Sequence, residues 1–278
     1  MPAAEKLTID FIITRSHWPR STCESPCGMI GEEYFTWDTT HRNRGDAEHM
    51  KAMLSTVTGP TGSKKYQCTL KFDQGYSDVE KAIKTTFAKT KKGDVSLFFI
   101  ATHGNSDGDG ELALTDNTML DFGTLAGWLS KYIKGDIIVI IESCGAGSAI
   151  YKNGASFDAD AFTQKAIDAF AAVEEQEANA GVGAMRKNRF YVLAAAAHHE
   201  MSWGHEGGDP GNYFTDWLIE GIGKSGKMPA DKDGDKIVTL KELYKYIQKY
   251  DSYTFQGTYH QHVKAYPASS SYKLFKRK

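Results

Sequence analysis

The chain has 278 residues, of which 41% are hydrophobic and 24% charged, an ordinary composition for a globular protein. Its 33 basic and 35 acidic side chains nearly cancel, which argues against nucleic acid or a membrane surface as a partner. No apolar run approaches the roughly 20 residues that a membrane span requires. The first residues lack a signal-peptide pattern, which is compatible with a cytoplasmic protein or with a secreted one whose signal has been removed.

Apolar runs of strand length alternate along the chain with segments of helical period. The predicted strands are 7–13, 65–72, 95–102, 136–143, 190–197 and 260–266, and the predicted helices are 45–57, 77–90, 122–133, 212–222 and 240–250. Ser77 and Glu80 have the spacing of a capping box, which predicts a helix start at Ser77. Continuously apolar strands are buried on both faces, so we expect an α/β fold: a three-layer α-β-α sandwich with a mostly parallel central sheet.

The chain is predicted to form a single domain over residues 1–278. Within it, the segment 175–189 joins a larger N-terminal portion, 1–174, to a smaller C-terminal portion, 190–278. This segment changes from acidic to Gly-Ala-rich to basic, a composition typical of an exposed linker.

Two successive apolar strands end in residues that can do chemistry. "SLFFIATHG" puts His103 and Gly104 after one strand, and "IIVIIESCGAG" puts Cys144 after the next. Neighbouring parallel strands lie about 4.8 Å apart, so the two side chains are expected at one edge of the sheet. A thiol needs such an imidazole to become a nucleophile, and the N–H groups of Gly104 and Cys144 suit an oxyanion. We therefore predict a Cys-His nucleophilic site.

Each residue alone is more often structural, since a free cysteine is commonly buried packing and a histidine after a strand is commonly a hydrogen-bonding residue. The pair, each followed by glycine, favours catalysis. The other cysteines, Cys23, Cys27 and Cys68, are too few for a disulfide framework. Cys23 and Cys27 are expected as free thiols, with a disulfide or a metal site as the alternatives.

The order of "ATHG" before "ESCGAG" resembles the caspase-like (clan CD) cysteine peptidase superfamily, whose members include caspases, metacaspases, legumain, clostripain and gingipain. "VLAAAAHHEMSW" and "GNYFTDW" further downstream are similar to legumain segments. The resemblance covers about residues 7–266 and implies a caspase-like fold. It also implies a His103–Cys144 dyad that needs no cofactor, with Gly104 in the oxyanion hole, and protein or peptide substrates; the oligomeric state stays open.

The resemblance implies that Glu142 lines the pocket for the substrate residue before the cleaved bond (P1). A lone carboxylate selects a cation, so Arg or Lys at P1 is expected. Arg42 or Arg44 matches the family's pocket arginine, although either also reads as a solvated charge at a helix start. An arginine paired with Glu142 would favour Asn or Asp, as in legumain. Ser202 and Asp216 match further pocket positions, and Asp216 restores the preference for a basic P1.

A second motif, "DKDGDKIVTLKE", follows the spacing of an EF-hand calcium loop. Its candidate calcium ligands are Asp231, Asp233, Asp235, Ile237 (through its carbonyl), Thr239 and Glu242. Lys236 stands where such a loop has glycine, and a lysine there must adopt a left-handed conformation. The alternative is an Asp-rich helix start without a metal.

The linker carries Arg186, Lys187 and Arg189, which are candidate self-processing sites if P1 is basic; the alternative is an exposed polar loop. The sequence thus predicts a cysteine endopeptidase. Its rivals are an inactive caspase-like scaffold or calcium-binding module and a cysteine hydrolase or acyltransferase acting on small amides.

Overall fold

The computed structural model describes residues 8–13, 42–60, 65–104, 111–116, 118–143, 169–173, 189–196, 202–205, 211–223, 226–250 and 261–277. In 8–13 and 42–44 it describes the backbone alone.

Ten strands lie in these residues. They are β1 (Thr8–Ile13), β2 (Gln67–Lys71), β3 (Val95–Thr102), β4 (Glu111–Ala113), β5 (Met119–Asp121), β6 (Asp136–Ser143), β7 (Phe190–Ala194), β8 (Ile237–Thr239), β9 (Lys264–Tyr266) and β10 (Lys273–Lys276). Six of them form the central sheet in the order β2-β1-β3-β6-β7-β9. All its neighbouring strands are parallel except β7 and β9, which are antiparallel. The mostly parallel sheet expected from the sequence is confirmed.

The helices of the described residues pack on both faces of this sheet. They are α1 (Arg42–Leu54), α2 (Tyr76–Thr86), α3 (Phe122–Tyr132), α4 (Tyr213–Ile222) and α5 (Leu240–Ile247), with 3-10 turns at Phe87–Lys89 and Gln248–Tyr250 and a short helical segment at 169–173. None of the helices in the described residues is both long enough and apolar enough to span a bilayer.

Alternate residues of the central strands build two separate cores. On β3, Leu97 and Phe99 face the layer of α1, α4 and α5, whereas Phe98 and Ile100 face α2 and α3, and all four are fully buried. Burying each such side chain contributes about 1.5–3 kcal/mol. Two-sided burial is the physical reason for the continuous apolar runs in the sequence, and it confirms the α-β-α sandwich.

The predicted capping box at the start of α2 is wrong. The helix begins at Tyr76, one residue before Ser77, and its N-cap Gly75 contributes no side-chain bond. The backbone N–H of Tyr76 donates instead to Asp116 at 2.8 Å, while Glu80 accepts from the hydroxyl of Tyr132. A side chain 40 residues away in sequence thus caps the helix, which no local pattern reveals.

Two short antiparallel pairs, β4 with β5 and β8 with β10, are absent from the sequence-based prediction. Strands of three or four residues are too short to show a period of two. The pair β4–β5 matters for the site, because β4 lies beside the end of β3.

Candidate active site

The ends of β3 and β6 lie side by side in the sheet. Their parallel register pairs Ala101 with Glu142 and Thr102 with Ser143, the last two of eight consecutive partners. His103 follows Thr102 directly, and Cys144 follows Ser143. Cys144 itself lies outside the described residues, so the register gives the neighbourhood of the expected dyad.

The backbone around His103 is held by the β4 strand. The carbonyl of His103 accepts from the N–H of Ala113 at 2.8 Å, and the hydroxyl of Thr102 donates to the carbonyl of Ala113 at 2.6 Å. Gly104 forms a bridge with Leu112. The half-buried His103 therefore follows a strand end whose backbone is fixed on both sides.

Glu142 projects from β6 toward α4, on the same face as Ile138 and Ile140. Its side chain is buried, and one carboxylate oxygen accepts a short bond from the hydroxyl of Ser202. The other oxygen accepts from the backbone N–H of Thr215 at 3.1 Å and from its hydroxyl at 2.9 Å. A carboxylate has about four acceptor positions, so one remains after these three bonds.

The pKa of Glu142 is raised to about 7, chiefly by burial and also by the nearby charge of Asp216. The bonds from Ser202 and Thr215 act in the opposite direction, because they favour the charged form. Thr215 lies in the first turn of α4, where the helix dipole also favours an anion. Glu142 therefore changes its charge near neutral pH.

A second buried acid, Asp46 on α1, lies close enough for its charge to couple to that of Glu142. Its carboxylate accepts from the backbone N–H of Asn212 at 2.8 Å and from the side-chain amide of Asn212 at 2.5 Å. Burial raises the pKa of Asp46 well above its ordinary value, and the charge of Glu142 raises it further. In the sequence Asp46 is only an acid near the start of a helix, a pattern that usually means a solvated charge, so its burial could not be predicted.

Asp216, expected in the pocket from the family resemblance, lies on the first turn of α4 beside Thr215. Its carboxylate contacts Nε2 of His205 at 2.6 Å, and both side chains are partly exposed, at 29% and 25%. The ring of His205 packs on Tyr213 with centroids 4.2 Å apart. Asp216 is thus the more accessible acid of this group, with Glu142 beneath it.

Gln261 fixes the segment that carries Ser202. Its side-chain amide donates to the carbonyl of Ala195 at 3.0 Å and to the hydroxyl of Ser202 at 3.2 Å, while its carbonyl oxygen accepts from the N–H of Trp203 at 3.1 Å. Gln261 had no signal in the sequence, because a lone glutamine near a chain end is ordinary surface composition.

The structure brings Glu142, Ser202 and Asp216 into one neighbourhood. The side chains of Arg42 and Arg44 lie outside the described residues. Among the side chains that are described, no lysine or arginine forms an ion pair with Glu142, Asp46 or Asp216.

In the loop before α5, one oxygen from each of Asp231, Asp233 and Asp235 lies within 4.8 Å of the others. Lys236 has φ of 66°, the left-handed conformation expected for its position. Glu242 accepts from Thr239 in a capping box and from the backbone N–H of Lys232 at 3.3 Å. The N–H of Ile237, the residue whose carbonyl is the candidate calcium ligand, donates to the carboxylate of Asp235. The loop thus gathers oxygen ligands of the kind that calcium binds, in a turn that its own backbone also stabilises.

Of the candidate processing residues, Arg186 and Lys187 lie outside the described residues. Arg189 is buried, and its guanidinium donates to the carbonyls of Ser130, Ile133 and Gly135 at the end of α3. A peptidase must draw a P1 side chain into its own pocket, whereas the side chain of Arg189 is buried and bonded within the protein. Its burial leaves Arg186 and Lys187 as the better processing candidates.

Comparison with known proteins agrees with this fold. The profile of the family described as "Caspase domain" matches residues 27–277. The fold is similar to the crystal structure of caspase-1 from Spodoptera frugiperda, with a TM-score of 0.57 and 12% identity over 96% of this chain and 88% of that one. It is also similar to a protein from Geobacter sulfurreducens, with a TM-score of 0.53 and 15% identity over 94% and 92%.

No curated protein sequence matches the chain significantly. The profile match spans most of the chain, and the structural neighbours share its sandwich of helices around a mostly parallel sheet. The chain therefore belongs to the caspase domain family, which is made of cysteine peptidases.

Proposed function

We propose that this protein is a cysteine endopeptidase in which Cys144 is the nucleophile and His103 the proton-transfer residue. The observation that carries the proposal is the register of β3 and β6, because the pair Thr102–Ser143 immediately precedes these two residues. Membership of a cysteine peptidase family adds independent support.

In the proposed reaction the thiolate of Cys144 attacks the carbonyl carbon of the substrate, and a C–S bond forms while the carbonyl oxygen becomes an anion. The N–H groups of Gly104 and Cys144 stabilise that oxyanion. Collapse breaks the C–N bond, and the imidazolium of His103 protonates the departing amine. His103 then takes a proton from water, which attacks the thioester; the C–S bond breaks, the carboxylic acid is released, and the thiolate of Cys144 is restored beside the imidazolium of His103.

We further propose a basic P1 residue, Arg or Lys. Three acids, Glu142, Asp46 and Asp216, lie near one another, and no lysine or arginine side chain of the described residues neutralises them by an ion pair. A substrate guanidinium or ammonium group suits such a site, because it meets the partly exposed Asp216 and the field of the buried Glu142. Arg42 or Arg44 beside Glu142 would instead favour Asn or Asp.

The test is cleavage of fluorogenic peptides that vary only at P1, with wild type and Cys144→Ala. Cleavage after Arg or Lys that is lost in Cys144→Ala supports both the dyad and the basic P1. Cleavage after Asn or Asp keeps the peptidase and rejects the acid-dominated pocket.

Two other outcomes point to the rival functions. No cleavage, together with no labelling of Cys144 by a thiol-reactive peptide probe, favours a caspase-like scaffold. If small amides are turned over and the rate does not increase when the substrate is extended beyond P1, a small-amide hydrolase or acyltransferase is favoured. A peptidase should gain rate from such an extension, because it uses binding energy from the remote regions of its substrate.

We also propose that the loop 231–242 binds calcium. The close approach of three carboxylates and the left-handed Lys236 are what support this second proposal. The chemistry of the dyad needs no ion, so calcium would act on the stability of the loop and of the helix that follows it.

A further inference from the structure

The start of α4 is held in an unusual way. Asn212 is its N-cap residue, and an Asn at this position ordinarily accepts a bond from the N–H of the third helical residue, here Thr215. The side chain of Asn212 makes no such bond. The N–H of Thr215 donates to Glu142 instead, and the side chain of Asn212 donates to Asp46. Two acids from other elements, Glu142 on β6 and Asp46 on α1, therefore replace the helix's own cap.

Asp46 holds Asn212 by two bonds, one to its backbone and one to its side chain, and Asp46 is fully buried. Its buried carboxylate lies near a second acid, which is costly unless the hydrogen bonds to it are kept. A single, well-defined position of Asn212 is what these two bonds provide.

Asn212 in turn anchors residues 202–205, the segment that would form one wall of the proposed P1 pocket. Asn212 forms an isolated β-bridge with Gly204. Beside this bridge, the N–H of Tyr213 donates to the carbonyl of Trp203 at 2.9 Å, and the N–H of His205 donates to the carbonyl of Gly211 at 3.2 Å. Ser202 lies directly before these hydrogen-bonded residues, and Asp216 lies one helical turn after Asn212. A shift of Asn212 would therefore move both the segment 202–205 and the start of α4 relative to Glu142.

We propose that Asp46 is a positioning residue that acts through Asn212 to place His205 and Asp216 over Glu142. This inference rests on the proposed peptidase function for its consequence, although the positioning itself is a property of the fold. Because Asp46 is fully buried, it acts without touching the substrate.

A reciprocal exchange tests the proposal. In Asp46→Asn the new amide N–H faces the side-chain N–H of Asn212, so the present side-chain bond is lost and the amide of Asn212 must turn over to form another. Asn212→Asp places two carboxylates together. The double variant Asp46→Asn with Asn212→Asp restores both bonds with the polarity of the side-chain bond reversed and the total charge unchanged. Asn212→Ala removes only the side-chain bond and serves if a single variant does not fold.

We expect each charge-changing single variant to lose about tenfold or more in kcat/KM for Arg substrates at 25 °C, with Asn212→Ala losing less, because small misplacements of a binding wall are expensive. The double variant should recover to within about threefold of wild type. A purely structural role would lower Tm and leave kcat/KM of the folded fraction unchanged. Full activity in both folded Asp46→Asn and folded Asn212→Ala overturns the proposal, as does a double variant no better than the singles.

Hydrogen exchange separates this proposal from the proposed function. Amides of residues 211–216 should lose protection in Asp46→Asn and regain it in the double variant. If the wild type cleaves no peptide, the peptidase proposal fails and this pattern still supports the positioning role. Unchanged protection in both Asp46→Asn and Asn212→Ala overturns the positioning role whether or not wild type is active.

Discussion

Glu142 shows at the residue scale how one side chain serves both packing and chemistry. It is buried with three hydrogen bonds, which is how a protein accommodates a polar group in its core. Its raised pKa nevertheless shows that the bonds only partly offset the loss of water. A buried acid with a raised pKa, next to the expected dyad, is a candidate for recognising the P1 side chain of the substrate.

Replacing Glu142 by Gln should reduce selectivity for a charged P1. The ratio of kcat/KM for an Arg substrate to that for its uncharged isostere citrulline should fall about tenfold to a hundredfold at pH 8. In wild type this ratio should rise with pH through about 7, since only ionised Glu142 attracts a cation, whereas in Glu142→Gln it should lose that step.

Taking the ratio cancels the titration of the dyad, which affects both substrates alike. Glu220→Gln on the exposed side of α4 is the matched control and should keep the wild-type profile. An unchanged ratio in Glu142→Gln would remove Glu142 from recognition.

The same pKa predicts a dependence of stability on pH. Between its ordinary 4.5 and about 7, Glu142 binds more protons in the folded state than in the unfolded state, so the free energy of unfolding falls as pH rises through that window. Relative to Glu142→Gln, wild type should lose on the order of 3 kcal/mol between pH 4.5 and 7 and nothing further above it. Urea unfolding of both proteins across this range measures the difference; a constant difference contradicts the raised pKa.

At the scale of elements, polar side chains from distant regions of the chain finish the ends of helices. Asp116 caps the start of α2, Glu142 caps the start of α4, and Arg189 satisfies carbonyls at the end of α3. A cation at a helix C-terminus also interacts favourably with the helix dipole. These bonds tie each helix to the loop or strand that supplies the cap.

Arg189→Met should lower the free energy of unfolding by about 2–4 kcal/mol, because it removes several bonds from a buried guanidinium. Lys134→Met at the same end of α3 is the matched control, since Lys134 is exposed, and it should change stability by at most about 0.5 kcal/mol. Urea unfolding compares them. Equal effects of the two substitutions would mean that the cap contributes nothing beyond a surface charge.

Calcium binding at 231–242 predicts a stabilised protein. Calcium at about 100 times its Kd should raise the free energy of unfolding by about 2.7 kcal/mol, seen as a Tm several degrees higher. The shift should vanish in Asp231→Asn with Asp233→Asn and persist in Asp73→Asn, a change at an exposed acid elsewhere. A Tm that calcium leaves unmoved in wild type would leave the segment as an Asp-rich turn.

On the scale of the whole molecule, the portions on either side of the linker share one sheet and both cores. β6 and β7 pair over five residues, and Phe190 and Val192 from β7 enter the core beneath α2 and α3. A cut in the linker would therefore separate the chain without separating the fold.

Self-processing should yield a cut after Arg186 or Lys187 that is absent in Cys144→Ala, as intact-mass analysis would show. The two pieces should co-elute in gel filtration, since the sheet and cores join them. Replacing both residues by Ala should abolish the cut and leave peptide cleavage in place. Equal cutting of wild type and Cys144→Ala would assign it to another protease.

The sequence alone determined the alternation of strands and helices and placed His103 and Cys144 directly after two successive apolar strands. Two-sided apolar runs and strand ends are local signals, and parallel pairing converts them into a shared edge. The resemblance to caspase-like peptidases rested on these same residues, and the family match confirms it.

Only the tertiary structure decided which polar groups meet. Asp46 and Asn212 are 166 residues apart, and Gln261 reaches Ser202 across 59. Each looks like an ordinary polar residue in the sequence, because its role exists only when helix packing brings a buried donor and acceptor within hydrogen-bonding distance. Hydrophobic periodicity follows from the local geometry of helices and strands and is therefore visible in the sequence. The pairing of buried polar groups depends on how helices and sheet pack against one another, and only the tertiary structure shows it.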